Sequence, residues 1–276
     1  MEKRIIIYTV IIIICIICLG VGVYVQFFYK YSEQDVFLTG KIDDEIVSEE
    51  MYQNLKNNFD SIFTNTFIET DYTNELPKKE YDKNTVYTKQ MLQKKEQGKY
   101  DININIPFFN LTLDGIDEIN NEISSIFEKK AKDIIENSNQ YTVYNINYAT
   151  FLNKNIISIV IKATLKEGQN SQRVIVKTYN YDVEKETLIP LVELINIKKL
   201  KLDTVQKKIR NEIEKINNEN TALEKLGYAV YKRDMNSSIY DISNTDIYFL
   251  GTNNYLYVLY PYGNNNYTNE IDIIIF

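Results

Sequence analysis

Five groups of side chains in this chain have types and spacings that could do chemistry. Glu184 and Glu186 flank one turn. Glu270 and Asp272 alternate on a strand-like run, which puts both carboxylates on one face about 7 Å apart. Such carboxylate pairs are what glycoside hydrolysis uses, and it needs no histidine. The acidic cluster Asp43, Asp44, Glu45, Glu49 and Glu50 could attract Ca²⁺. It lacks the D-x-[DN]-x-[DN]-G spacing of an EF-hand, so it reads as an acidic stalk running into a helix start. Tyr255, Tyr257, Tyr260, Tyr262 and Tyr267 crowd the last strands beside Asn253, Asn254, Asn264, Asn265 and Asn266. Tyrosine brings rigid apolar area with a polar tip, suited to protein interfaces and to stacking on sugars. It also favours strands for its packing alone. These five tyrosines are the expected ligand-binding residues. Cys15 and Cys18 share a helix face at i, i+3 inside an apolar run and read as small packing groups.

What is missing narrows the chemistry further. The 276 residues contain no histidine, so no Ser-His-Asp or Cys-His relay and no His-ligated zinc can form. No G-x-G-x-x-G, G-x-x-x-x-G-K-[ST] or G-x-S-x-G motif occurs, and the nine glycines are scattered. The reading is therefore of a protein that is not an enzyme, with no catalytic residue, no metal site and no cofactor.

The elements that must position these residues begin with residues 5–28, IIIYTVIIIICIICLGVGVYVQFF, which carry no charge. As a helix this run spans about 36 Å, enough for a hydrocarbon core of about 30 Å. Tyr24, Phe27, Phe28 and Tyr29 gather at one end as an interfacial belt would. Lys3 and Arg4 precede the run, while Glu33 and Asp35 follow Lys30. The positive-inside rule then leaves residues 1–4 as a cytoplasmic stub and residues 31–276 outside the cell, held by an uncleaved single-pass anchor. With Lys3, Arg4, Lys30 and Glu2 set aside, residues 31–276 hold 28 basic and 37 acidic residues, a net charge of −9. That sign excludes a nucleic-acid footprint and favours a basic partner. Heavy use of Ile, Asn, Lys and Tyr points to A/T-rich codons and a Gram-positive source.

Residues 29–97 read as a stalk and an N-terminal helical region. Ser48, Glu49 and Glu50 start a helix with Met51, Leu55, Phe59, Ile62 and Phe63 on one face through residue 68. Residues 69–87 read as a charged loop and 88–97 as a polar lead-in to Gly98. Beyond it, Ile102, Ile104 and Ile106 alternate as a strand that Pro107 stops. Asp114-Gly115 open a helix with Ile116, Ile119, Ile123, Ile126, Phe127, Ile134 and Ile135 on its apolar face. Runs at 141–152, 156–165 and 173–182 predict an antiparallel meander. A short helix follows Pro190, and Asp203 with Gln206 forms a capping-box pattern for the next one. Strands return at 246–250, 255–260 and 271–275. The fold class is α+β, antiparallel sheets packed with a few helices after one N-terminal transmembrane helix. Residues 98–276 form its extracytoplasmic module, with two subdomains meeting near residue 190.

The order of five blocks resembles a known family. They are DININIPFFN; GIDEINNEI; NIISIVIKATLKEG with Ser158 in its strand; RVIVKTYNYDVEKETLIPLVELI with TYNYD at 178–182; and YFLGTNNYLYVLYPYGNNNYTNEIDI with its Leu-Tyr-Pro-Tyr block at 259–262. This pattern is similar to the paired extracytoplasmic domains of unknown function shared by the lysozyme-sensing anti-sigma factor RsiV and the peptidoglycan deacetylase PdaC, over residues 98–276. The resemblance implies a membrane-anchored α+β module facing the cell wall, with lysozyme or peptidoglycan as partner. The four-residue tail and the lack of histidine leave the binding module without the anti-sigma or deacetylase parts. The functional expectation is a membrane-anchored envelope binding or sensor module. The alternatives are a carboxylate-dependent cell-wall glycan hydrolase and a partner subunit of a membrane signalling complex.

Overall fold

The computed structural model describes residues 48–262 and 270–276. The expected stub, membrane helix 5–28 with Cys15 and Cys18, most of the stalk, and Tyr267 lie outside the described residues. No helix among the described residues is long and apolar enough to cross a membrane. Residues 46–276 form one compact unit of mixed α+β type.

The larger sheet has the order β1 (Val86–Glu96), β2 (Tyr100–Phe109), β3 (Thr142–Asn153), β4 (Ile156–Glu167), β5 (Arg173–Asp182) and β6 (Thr187–Leu188). β3, β4 and β5 form the expected antiparallel meander. β2 and β3 instead run parallel. A parallel neighbour requires a crossover, and the helix expected after Gly115 supplies it. That helix comes in two pieces, α1 (Ile116–Ile123) and α2 (Lys129–Asn137), joined by a π-helical turn at Ser124–Glu128. Its apolar residues Ile116, Ile119, Ile123, Phe127, Ala131 and Ile134 pack on Ile102, Ile104, Tyr144, Ile146, Ile159, Ile161 and Leu165 from one face of the sheet.

Two sequence expectations fail at β1 and β2. The polar lead-in 88–97 belongs to strand β1, paired antiparallel with β2 around a tight turn at Gly98, whose φ of +79° suits glycine. An edge strand takes half of its hydrogen bonds from one neighbour and needs little apolar alternation of its own, so its lysines hid it. Pro107 does not stop β2, which continues to Phe109. It sits opposite Thr88, beside the register shift between Thr88 and Gln90, where a missing N–H is tolerated.

The second sheet has the order β7 (Tyr248–Leu250), β8 (Leu256–Tyr262) and β9 (Glu270–Ile275). Alternation divides its side chains cleanly. Phe249, Tyr257, Leu259, Ile273 and Ile275 pack with Ala149, Val160 and Val176 from the other face of the large sheet. Leu250, Leu256, Val258, Tyr260 and Ile274 pack with Leu191, Leu194 and Ile195 of α3 (Leu191–Ile197) and Val205, Ile209 and Ile213 of α4 (Leu202–Lys225). The layers therefore run helix, large sheet, small sheet, helix. Gly251 lies under the Tyr257 ring, where a Cβ would stand 2.6 Å from a ring carbon, so only glycine fits without a shift.

Asp203 does not cap α4. Lys201 stands at the N-cap without a side-chain bond, and Gln206 instead donates to the Tyr240 carbonyl (2.8 Å) and accepts from the Ile242 N–H (3.0 Å). The tertiary contact outcompetes the local motif. The helix beginning at Glu49 is also shorter than expected. It ends at Asn57, a 3₁₀ turn follows at Phe59–Ile62, and Tyr52 and Phe59 are its buried anchors while Met51 is exposed. Asn57 and Asn58 offer side-chain bonds that compete with helix continuation.

Candidate functional site

Tyr255, Tyr257 and Tyr260 are 8%, 4% and 7% exposed. The Tyr257 ring stacks on Phe249 at 4.6 Å, and Tyr260 meets Tyr240 edge to face at 5.0 Å. The Tyr260 hydroxyl shares a buried hydrogen bond with Thr245 (2.9 Å). Burial pushes the phenols of Tyr257 and Tyr260 up to about 12. These three rings are core side chains. Strand propensity and packing account for them, and alternation buries both faces because a layer covers each. The side chains of Tyr262 and Tyr267 lie outside those described.

Of the two carboxylate pairs, the Glu270 side chain lies outside those described. Asp272 is buried, and both of its oxygens are held by Arg233, from Nε at 2.9 Å and Nη2 at 2.7 Å. This pair ties the segment before Ser238 to β9. Both carboxylate oxygens are thus committed to a buried ion pair. Glu184 and Glu186 lie on the β5–β6 turn, which Asp182 organises. The Asp182 Oδ1 accepts from Asn155 Nδ2 (2.6 Å) and from the N–H groups of Glu184 (3.0 Å) and Lys185 (3.1 Å). Glu186, at φ +51°, reaches across to accept the Asp114 N–H at 3.1 Å.

That contact marks a cleft which neither pair alone foretells. Asp114, Glu118, Glu122 and Glu186 line a cavity of about 280 Å³ together with Gly115, Ile119, Tyr181, Thr187 and Leu188. Gly115, at φ +74°, turns the chain into α1. Glu118 and Glu122 then stand four residues apart on the same side of that helix. Tyr181, projecting from β5, forms the floor, and its hydroxyl donates to the Asp114 carbonyl at 2.6 Å. Burial, followed by the charges of Glu186, Asp114 and Asp182, pushes the Tyr181 phenol up to about 12. It therefore stays a neutral donor at physiological pH. No lysine or arginine lines the cleft. Lys177 approaches it from β5 and pairs with Glu122 at 3.2 Å. The Asp114 and Glu118 carboxylates make no ion pair among the described residues. A partly apolar floor under unneutralised carboxylates suits an incoming Lys or Arg side chain, whose methylene stem and cationic head match the two parts. Among the described residues no three acidic or sulfur side chains converge as a metal would require.

Asp114 and Gly115 were visible in sequence only as a helix start, and Glu186 only as one of a pair. Their convergence needed the β5–β6 turn to fold beside α1, which no local pattern encodes. The TYNYD block has a structural explanation. Thr178 Oγ1 accepts the Tyr248 N–H (3.1 Å), and Asn180 Nδ2 donates to the Tyr248 carbonyl (2.8 Å). Ser158 in turn donates to Asn180 Oδ1 at 2.7 Å. These residues bind the two sheets to each other while Tyr181 and Asp182 shape the cleft.

No family model and no curated protein matches the sequence. Two solved structures of a domain family of unknown function are its structural neighbours. The chain is similar to a DUF3298 family protein from Pseudomonas aeruginosa, at 11% identity over 63% of this chain and 78% of that one, with a TM-score of 0.36. It is also similar to a DUF3298 family member from Bacteroides fragilis, at 14% identity over 70% of this chain and 91% of that one, with a TM-score of 0.35.

Proposed function

We propose that this protein is a non-catalytic binding module of the cell envelope, anchored through residues 5–28, whose acidic cleft receives a basic protein such as lysozyme. The observation that carries the reading is the cleft itself: four carboxylates around a partly apolar floor, of which Glu122 is paired with Lys177 while Asp114 and Glu118 make no ion pair among the described residues. The charge of the expected exterior, 28 basic against 37 acidic residues, adds a long-range field of the same sign. Such a field raises the encounter rate with a cationic protein and weakens as salt screens it. The RsiV/PdaC-type resemblance supports the same partner.

Surface capture of lysozyme by the immobilised full-length chain tests the proposal. Binding at low ionic strength that falls steeply with added salt is the expected result. No binding at low salt, or binding indifferent to salt, would overturn it.

A further inference from the structure

The far end of α4 runs past the core. Val205, Ile209 and Ile213 are buried, Ile216 packs partly against them, and no later residue of the helix joins a core cluster among the described residues. Polar bonds join its last turns to the returning chain. Asn217 Nδ2 donates to the Arg233 carbonyl at 2.9 Å, and Asn217 Oδ1 accepts the Arg233 N–H at 2.8 Å. Asn220 Nδ2 donates to the Tyr231 carbonyl at 2.8 Å, and Glu224 pairs with Lys232 at 2.6 Å. Between these stretches the chain turns at Gly227, whose φ is +88°. The Gly227 N–H donates to the Glu224 carbonyl (2.9 Å) and the Tyr228 N–H to the Leu223 carbonyl (3.2 Å).

This is a Schellman turn, a pattern that commonly sets the residues at positions such as Leu223 and Tyr228 side by side. It does not cover them. Leu223, Leu226 and Tyr228 are 43%, 74% and 63% exposed, a run of large apolar side chains at one tip. Lys225 stands among them with no ion pair among the described residues, while the neighbouring Glu224 is neutralised by Lys232. The direction of this tip follows from the helix Glu49–Asn57. Glu49 pairs with Lys215 at 3.5 Å, whereas Tyr52, one turn later, bonds Glu212 at 3.2 Å and lies under Lys208 Nζ at 5.1 Å. The two helices therefore run antiparallel, and the chain enters from the side towards which α4 points. From Lys215 to Leu226 the helix rises about 16 Å further in that direction.

We infer that the α4 tip, through Leu223, Leu226 and Tyr228, seats on the lipid surface in which the chain is anchored. The chain that enters beside α4 carries the uncharged run 5–28, and 19 residues separate that run from Ser48. Such a length reaches at most about 65 Å, so this end of the body stays within range of the bilayer. Leucine and tyrosine beside a lysine suit the headgroup boundary: apolar atoms enter about 5–10 Å, and the ammonium reaches back to the lipid phosphates. The contact gives the body a second attachment and restricts its rotation about the stalk. It rests on the membrane-anchored reading proposed above and is independent of the acidic cleft.

The chain has no tryptophan, so a single one placed at the tip is a clean reporter. The full-length Leu226→Trp chain is reconstituted into phosphatidylcholine vesicles brominated near the glycerol end of the acyl chains, and flotation records whether it is membrane-bound. Its emission is expected to be blue-shifted and quenched at least about twofold against unbrominated vesicles, because the boundary it enters is shallow. Tyr81→Trp, at an exposed site on the loop before β1, is expected to stay unquenched. Adding Leu223→Asp and Tyr228→Asp to Leu226→Trp should abolish the quenching, with flotation and circular dichroism unchanged. A floating Leu226→Trp chain without quenching, or quenched no more than Tyr81→Trp, overturns the inference and leaves the anchor standing. A blue shift without quenching that grows with protein density also overturns it, and assigns the tip to a second copy. A chain that does not float removes the anchor and the tip contact together. Lysozyme capture by the tip variant is expected to stay intact, so failure here is distinguishable from failure of the cleft.

Discussion

The tyrosine-rich small sheet and the acidic cleft treat their polar groups in opposite ways. In the small sheet, Tyr257 and Tyr260 are stacked into the interior and the buried Asp272 carboxylate is fully engaged by Arg233. In the cleft, Asp114 and Glu118 are exposed and make no ion pair among the described residues. The first region spends its aromatic area and its ion pair on holding layers together. The second leaves charge uncompensated, at a small cost in water, where a partner can use it. Of the five tyrosines that composition singled out, Tyr255, Tyr257 and Tyr260 are buried side chains of this sheet.

The largest expected effects lie in the small sheet. Asp272→Ala leaves the Arg233 guanidinium buried without its partner and should destabilise the protein by about 3–5 kcal/mol in denaturant unfolding. The double change Arg233→Met/Asp272→Leu should lose less than Asp272→Ala alone, because it removes both charges. Tyr257→Ala opens a cavity between the sheets and should also lose about 3–5 kcal/mol. A loss under about 1 kcal/mol in either case would put these residues outside the core and erase the contrast.

Legibility in the sequence followed the strength of the local pattern. The strands 142–153, 156–167 and 173–182 and the start of α1 were readable, because β-branched alternation, turn residues and a helical apolar stripe each spoke for themselves. Strand β1 was not, because an edge strand rich in Lys and Gln borrows its definition from β2. The parallel β2–β3 pairing was hidden for the same reason, since register is a tertiary property. The cleft was only half visible. Glu186 was marked as part of a carboxylate pair, but the carboxylates that line the cavity with it include Asp114 and Glu118, some seventy residues earlier in the chain. The burial of Tyr255, Tyr257 and Tyr260 was not legible, because one residue type serves both core strands and interfaces, and the covering layer on each face is a tertiary property.

Smaller effects sharpen the comparison. Tyr260→Phe removes the bond to Thr245 and should lose about 1 kcal/mol. Alkali should act on the tyrosine region as well. Unfolded tyrosine titrates near 10, whereas Tyr257 and Tyr260 stand at about 12 in the fold. The native state then holds protons that the unfolded chain has released, so stability is full below pH 10 and falls as pH rises towards 12. Ultraviolet titration should show phenolate appearing together with unfolding, and free titration of all tyrosines in the folded protein near pH 10 would contradict it. The smallest effect belongs to the cleft. Asp114→Lys/Glu118→Lys changes exposed side chains without ion-pair partners and should move stability by no more than about 0.5 kcal/mol.

That same variant supplies the most direct measurement of the central claim. Lysozyme affinity of the full-length chain is compared with that of Asp114→Lys/Glu118→Lys at low salt, with matched unfolding curves. The cleft account predicts at least a tenfold loss of affinity, about 1.4 kcal/mol, with stability unchanged. Equal affinity in the two proteins would contradict it.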